Sequence, residues 1–170
     1  MRTGALPFPL LGRPRVIAGW GMSLGASTLL LAAAAEPAIR AIVSDSAFAD
    51  AAALVRSRPE QQEPPSWLLP GALLAGQLLY GVTYDQARPV AVVAQIAPRP
   101  ILFIHGSADS SVPIANLDQL VAAASQPANA HVQTWEVPGA QHVQAFSLMP
   151  EAYVLRMVAF YQSALGPDAT

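Results

Sequence analysis

Apolar residues along the chain fall into two patterns, short and nearly continuous runs and longer stretches with helical spacing. Runs at 16–18, 39–43 and 101–105, and an alternating stretch at 132–137, predict strands. The first, Val16-Ile17-Ala18 within 15–20, has the character of a buried parallel strand. Residues 24–35 are strong helix formers that stop before Glu36-Pro37, where proline disfavours helical geometry in the residue preceding it. Shorter helical segments are expected at 50–57 and 90–95, and a longer one at 114–124 on the spacing of Ile114, Leu117, Leu120 and Val121. A closing helix over 151–165 places Val154, Val158, Tyr161 and Leu165 on one face, with Gly166-Pro167 as its stop. Strands alternating with helices predict the α/β class, a parallel sheet of about four strands with helices on both faces.

Two regions break the alternation. Residues 1–14 are rich in Pro, Gly and Leu without a period and read as an irregular lead-in to a domain over 15–170. Within 50–95 a polar, proline-broken stretch at 58–65 precedes an apolar block at 66–82 interrupted by Pro70, Gly71 and Gly76, so this region reads as a helical, cap-like insertion between strands. Residues 16–35 contain no charge and are long enough to span a bilayer, but Gly19, Gly21, Ser23, Gly25, Ser27 and Thr28 divide them into strand, turn and helix.

Composition narrows the function. With 170 residues, 53% of them hydrophobic, and a net charge of -2, the chain has the material for one cored domain and no basic patch for nucleic acid or an anionic membrane. All nine cationic residues are arginine, which removes P-loop, Schiff-base and serine–lysine chemistry. There is no cysteine, and His105, His131 and His142 lack metal-ligand spacing, so neither a metal nor a cofactor is expected. The proline-broken start is no signal peptide, and a cytoplasmic location is expected.

In a parallel sheet, reactive groups gather beyond the carboxyl ends of the strands. Gly21-Met22-Ser23-Leu24-Gly25 lies at a strand-to-helix junction, where a nucleophile elbow needs residues without side chains packed close on either side of the serine. Asp109 follows the third strand, in His105-Gly106-Ser107-Ala108-Asp109. His142 follows the fourth, in Pro138-Gly139-Ala140-Gln141-His142. A serine needs a base to take its proton, and the base needs a carboxylate to hold its tautomer; the order Ser, acid, His accompanies the elbow. His105 reads as shaping the loop to Asp109, and His131 as a surface residue before a strand.

These motifs, with Ala97-Pro98-Arg99-Pro100 before the third strand and Val112-Pro113 after Asp109, make the chain from about Arg15 onward resemble the C-terminal half of an α/β-hydrolase. The similarity is to the group that includes dienelactone-hydrolase-like and prolyl-oligopeptidase-like serine hydrolases. It implies an acyl-enzyme on Ser23, with His142 as base, Asp109 as acid and a small-molecule or peptide acyl substrate. Asp45 is the alternative acid, because some members of that superfamily take the carboxylate from the preceding strand. Leu24 N–H would serve as one oxyanion donor; the second belongs to an earlier loop of that fold. The family sheet has eight strands, so the resemblance also implies an unpaired apolar edge at the first strand here, covered by a missing N-terminal segment, by a second copy in a homo-oligomer, or in part by residues 1–14.

Overall fold

A computed structural model describes residues 16–57, 86–125 and 131–166. The lead-in at 1–14 and the apolar block at 66–82 lie outside these residues. The described elements are β1 (Ile17–Met22), α1 (Leu24–Ala35), β2 (Ile39–Asp45), α2 (Ala51–Arg56), two 3-10 turns (Pro89–Ala91 and Val93–Ile96), β3 (Ile101–Gly106), α3 (Ala115–Ala124), β4 (Val132–Val137), α4 (Ala145–Leu148) and α5 (Pro150–Leu165).

The strands form one parallel sheet in the order β1-β2-β3-β4, with Trp20 beside Val43, Val43 beside Leu102 and Ile104 beside Trp135. Successive side chains on a strand point to opposite faces, so β2 and β3 each feed two cores. Ile42, Ile101 and Phe103 pack with Leu30 and Ala33 of α1 and Leu117 and Leu120 of α3. Ala41, Val43, Leu102 and Ile104 pack with Tyr153 and Phe160 of α5 on the other face. Every residue of β3 is buried, which accounts for its unbroken apolar run. The charge-free stretch at 16–35 resolves into β1, a turn and α1, and no helix among the described residues is long and apolar enough to cross a membrane.

Polar groups close the junctions. The N–H of Glu36 returns to Ala32 O at 2.8 Å and ends α1. Arg99 then ties that turn to the approach of β3, donating through Nη1 to Glu36 O and Ile39 O (3.1 and 2.8 Å) and through Nε to Ile96 O (3.0 Å).

Four expectations from the sequence do not hold, and the first is the buried strand at 15–20: β1 is the edge of the described sheet, paired on one side only, and leaves Ile17, Trp20 and Met22 exposed. The helix expected at 90–95 is instead two 3-10 turns, since β-branched Val90, Val92 and Val93 resist α-helix and the segment is too short to propagate one. The four-residue α4 has no counterpart in the apolar pattern. On α5, the buried residues are Tyr153 and Phe160, whereas Val154 and Val158 are exposed, as is Leu155 at 68%. The tyrosines fix this rotation: Tyr153 Oη donates to Asp45 and Tyr161 Oη to Gly19 O at 2.8 Å, and burying large rings outweighs burying two valines. Helix α5 therefore carries a second apolar stripe that the described residues leave open, on a sheet whose β1 edge exposes Ile17, Met22 and, at 51%, Trp20.

One close approach sets the ends of β3 and β4. A Cβ at Gly106 would lie 2.7 Å from the carbonyl carbon of Ala140 and 2.9 Å from Gln141 O, both backbone atoms. Gly106→Ala must therefore push the two loops apart, and a loss of about 2–3 kcal/mol is expected in thermal or urea unfolding.

Candidate active site

Three loops at the carboxyl ends of the strands converge. Ser23 sits between β1 and α1 at φ 53° and ψ -124°, a conformation that a residue with a side chain rarely adopts. Its N–H donates to Asp45 O at 2.8 Å, and its own carbonyl accepts Ser27 N–H at 3.1 Å. Gly21 makes the turn feasible, because a Cβ there would lie 2.6 Å from Gly25 O. The second glycine of the motif departs from expectation: among the described residues, a Cβ at Gly25 would meet nothing within 4 Å. Leu24 opens α1, so its N–H is one of the four at a helix start without an intrahelical acceptor.

His142 lies between serine and carboxylate. Its Nε2 is 2.8 Å from Ser23 Oγ, and its Nδ1 is 2.8 Å from Asp109 Oδ2. A ring nitrogen facing a carboxylate carries the proton, which leaves the Nε2 lone pair toward the serine hydroxyl. The His142 side chain is 24% exposed, whereas that of Asp109 is fully buried. Asp109 Oδ1 accepts the N–H groups of Ser111 and Val112 at 2.8 and 2.7 Å, so the carboxylate is held from both sides. His105 is buried; its Nε2 donates to Val112 O at 2.8 Å and lies 3.6 Å from Asp109 Oδ2, bracing the same loop.

The Asp109 and His142 loops are tied together. Ala108 N–H donates to Ala140 O at 3.0 Å and Ser107 N–H to Val137 O at 3.0 Å, while Ser107 Oγ accepts Gly139 N–H at 2.9 Å. Gly139, at φ 72°, supplies the turn that brings the chain back over β3.

Asp45 is at the end of β2 and its side chain points elsewhere. Its Oδ2 accepts Tyr153 Oη–H and its Oδ1 accepts Ser46 Oγ–H, both at 2.9 Å; neither oxygen bonds His142. Burial pushes the pKa of Asp45 up, against two hydroxyl donors that favour the carboxylate. Burial and the Asp45 charge likewise push the Tyr153 phenol well above its usual range. Ser46, Tyr153 and Trp20, whose Nε1–H donates to Tyr153 Oη at 3.0 Å, escape sequence reasoning because their long-range contacts join positions 97 to 133 residues apart. No cluster of three or more metal-ligating side chains occurs among the described residues.

Known proteins resemble the chain in sequence and in fold. Residues 11–168 match the prolyl oligopeptidase family. Protein YfhR of Escherichia coli K12 is 28% identical over 159 residues, which span 91% of this chain and 48% of YfhR. The chain thus spans about half the length of the curated relatives it matches. Among solved structures, the Pyrococcus furiosus esterase Pf2001 superposes with a TM-score of 0.67 at 20% identity, covering 89% of this chain and 55% of the esterase. A puromycin-hydrolyzing peptidase of Mycobacterium tuberculosis gives 0.70 at 20% identity, covering 91% of this chain and 22% of the peptidase. With its parallel sheet, strand-end loops and match over nearly its whole length, the chain belongs to the prolyl oligopeptidase family and has the α/β-hydrolase fold.

Proposed function

We propose that the chain carries the nucleophile, base and acid of a serine hydrolase acting on an ester, thioester or amide. The observation that carries this reading is the unbroken hydrogen-bond path from Ser23 Oγ through His142 to Asp109. Ser23 Oγ attacks the carbonyl carbon while His142 Nε2 takes its proton, and Asp109 stabilises the resulting imidazolium. Leu24 N–H faces the oxyanion. Collapse breaks the bond to the leaving group, which receives the proton from Nε2. Water then attacks the acyl-serine with the same base, releasing the acid and restoring Ser23.

A second reading, an incomplete hydrolase-like domain with a binding or assembly role, draws on the half-length match and on the β1 edge, which no described strand pairs. In that reading the edge is covered by a preceding segment of a longer chain or by a second copy. Absence of one oxyanion donor alone costs about 3 kcal/mol of transition-state stabilisation, so the triad can be in place while turnover is slow. Labelling with a fluorophosphonate separates the two, because it needs an activated serine and no substrate-specific pocket. An adduct on the Ser23 peptide of the folded chain is expected; a folded chain that stays unlabelled overturns the hydrolase reading.

A further inference from the structure

The buried polar chain behind the site ends next to His142. Val143, the residue after the base, has φ 53°, and for a β-branched residue this is a strained conformation that its surroundings must hold. Its N–H donates to Ser46 Oγ at 3.3 Å, joining positions 97 residues apart. Ser46 is itself buried, at φ 55°, and its N–H is engaged by Ile104 O at 2.9 Å. A hydroxyl has one proton, and that of Ser46 goes to Asp45 Oδ1, so its lone pairs are turned toward Val143. Asp45 is fixed in turn by Tyr153 Oη–H, and Tyr153 by the indole N–H of Trp20, three residues before Ser23 on β1. The N–H of Ser23 also rests on the backbone carbonyl of Asp45.

We infer that Ser46, oriented by the Asp45 carboxylate, is a positioning residue that sets where His142 stands relative to Ser23. The strand of the serine and the loop of the histidine are both referenced to one buried aspartate. The role of Asp45 in this chain is thus distinct from that of Asp109, which bonds the ring directly. This inference rests on the hydrolase reading for its kinetic consequence, though its geometric consequence is independent of it. A displacement of about 1 Å at a reacting group costs on the order of a hundredfold in rate, so loss of one of several restraints on the loop is expected to cost about tenfold.

The test uses Ser46→Gly and Ser46→Ala in the 170-residue chain, each read in two ways. Glycine relieves the positive φ at position 46, whereas alanine does not; both remove the hydroxyl. Positioning predicts that both variants lower the rate constant of fluorophosphonate labelling about tenfold, with the concentration for half-saturation unchanged. It also predicts that solvent exchange of the His142 Nδ1 proton, followed in nitrogen-15-labelled protein, accelerates about tenfold. A purely structural role predicts that glycine keeps the original rate and only alanine loses it, which overturns the inference. Tyr153→Phe, which keeps the ring and removes the hydroxyl that anchors Asp45, serves if the Ser46 variants do not fold; unchanged exchange and labelling there also overturn it. If the unsubstituted chain does not label, the hydrolase reading falls, and the exchange measurement alone decides the positioning.

Discussion

Ser23→Ala is expected to abolish the fluorophosphonate adduct and to lower hydrolysis of an activated ester by at least about 10⁴-fold, since removal of the nucleophile alone from such a site costs on the order of 10⁶. Binding of substrate is expected to change little, because the hydroxyl contributes mainly to the reacting state. The backbone at position 23 supplies a control that few sites offer. Its φ of 53° suits glycine, so Ser23→Gly should be as inactive as the alanine variant yet unfold at a higher temperature, by an amount corresponding to about 1 kcal/mol. Activity in either variant near that of the parent chain would remove Ser23 from the role of nucleophile. A glycine variant that is less stable than the alanine one would mean that the observed turn does not govern this position.

Asp109→Asn is expected to give the second-largest loss, about 10⁴-fold in the rate of the chemical step. An amide in place of the carboxylate can offer its NH₂ to Nδ1, which drives the imidazole proton to Nε2 and leaves Ser23 facing a donor instead of a base. Two backbone N–H groups on Oδ1 keep the side chain oriented, so the loss is one of tautomer and charge with the loop in place. Asp45→Asn is the informative partner, because both aspartates are buried at the carboxyl ends of neighbouring strands, Asp45 as the last residue of β2 and Asp109 in the loop after β3. Its hydrogen bonds go to Tyr153 and Ser46, so its effect should come through the Ser46 contact and stay within about tenfold. Paired labelling rates for the two variants decide the matter: a large loss at Asp45 with a small one at Asp109 would transfer the acid role to Asp45.

The sheet is legible in the sequence because its signals are local. β3 is an apolar run buried on both faces, and α1 stops where Glu36-Pro37 forbids its continuation. Ser23, Asp109 and His142 stand out because each follows a strand at the end where a parallel sheet presents its loops. The supporting contacts are invisible for the opposite reason. Nothing near Tyr153 indicates that its hydroxyl belongs to Asp45, and nothing near Ser46 indicates that it meets Val143. The rotation of α5 is ambiguous in principle, since the helix has two apolar stripes and periodicity cannot say which faces the sheet. The two motif glycines look equivalent in sequence, yet only Gly21 is pressed by neighbouring backbone among the described residues.

The plain strand order has a consequence for how the chain assembles. Because each strand pairs with the next one in sequence, β1 to β2, β2 to β3 and β3 to β4, the sheet can grow in the order in which a ribosome delivers it. β1 meets β2 across α1 and β3 meets β4 across α3, whereas β2 meets β3 only after the long segment 46–100. The bond between Ser23 and His142 is of another kind, spanning 119 residues and waiting for the loop after the last strand. On the proposed hydrolase reading, a nascent chain therefore holds the serine of the β1–α1 turn well before it holds the base, and Ser23 stays unactivated until the loop after β4 is in place.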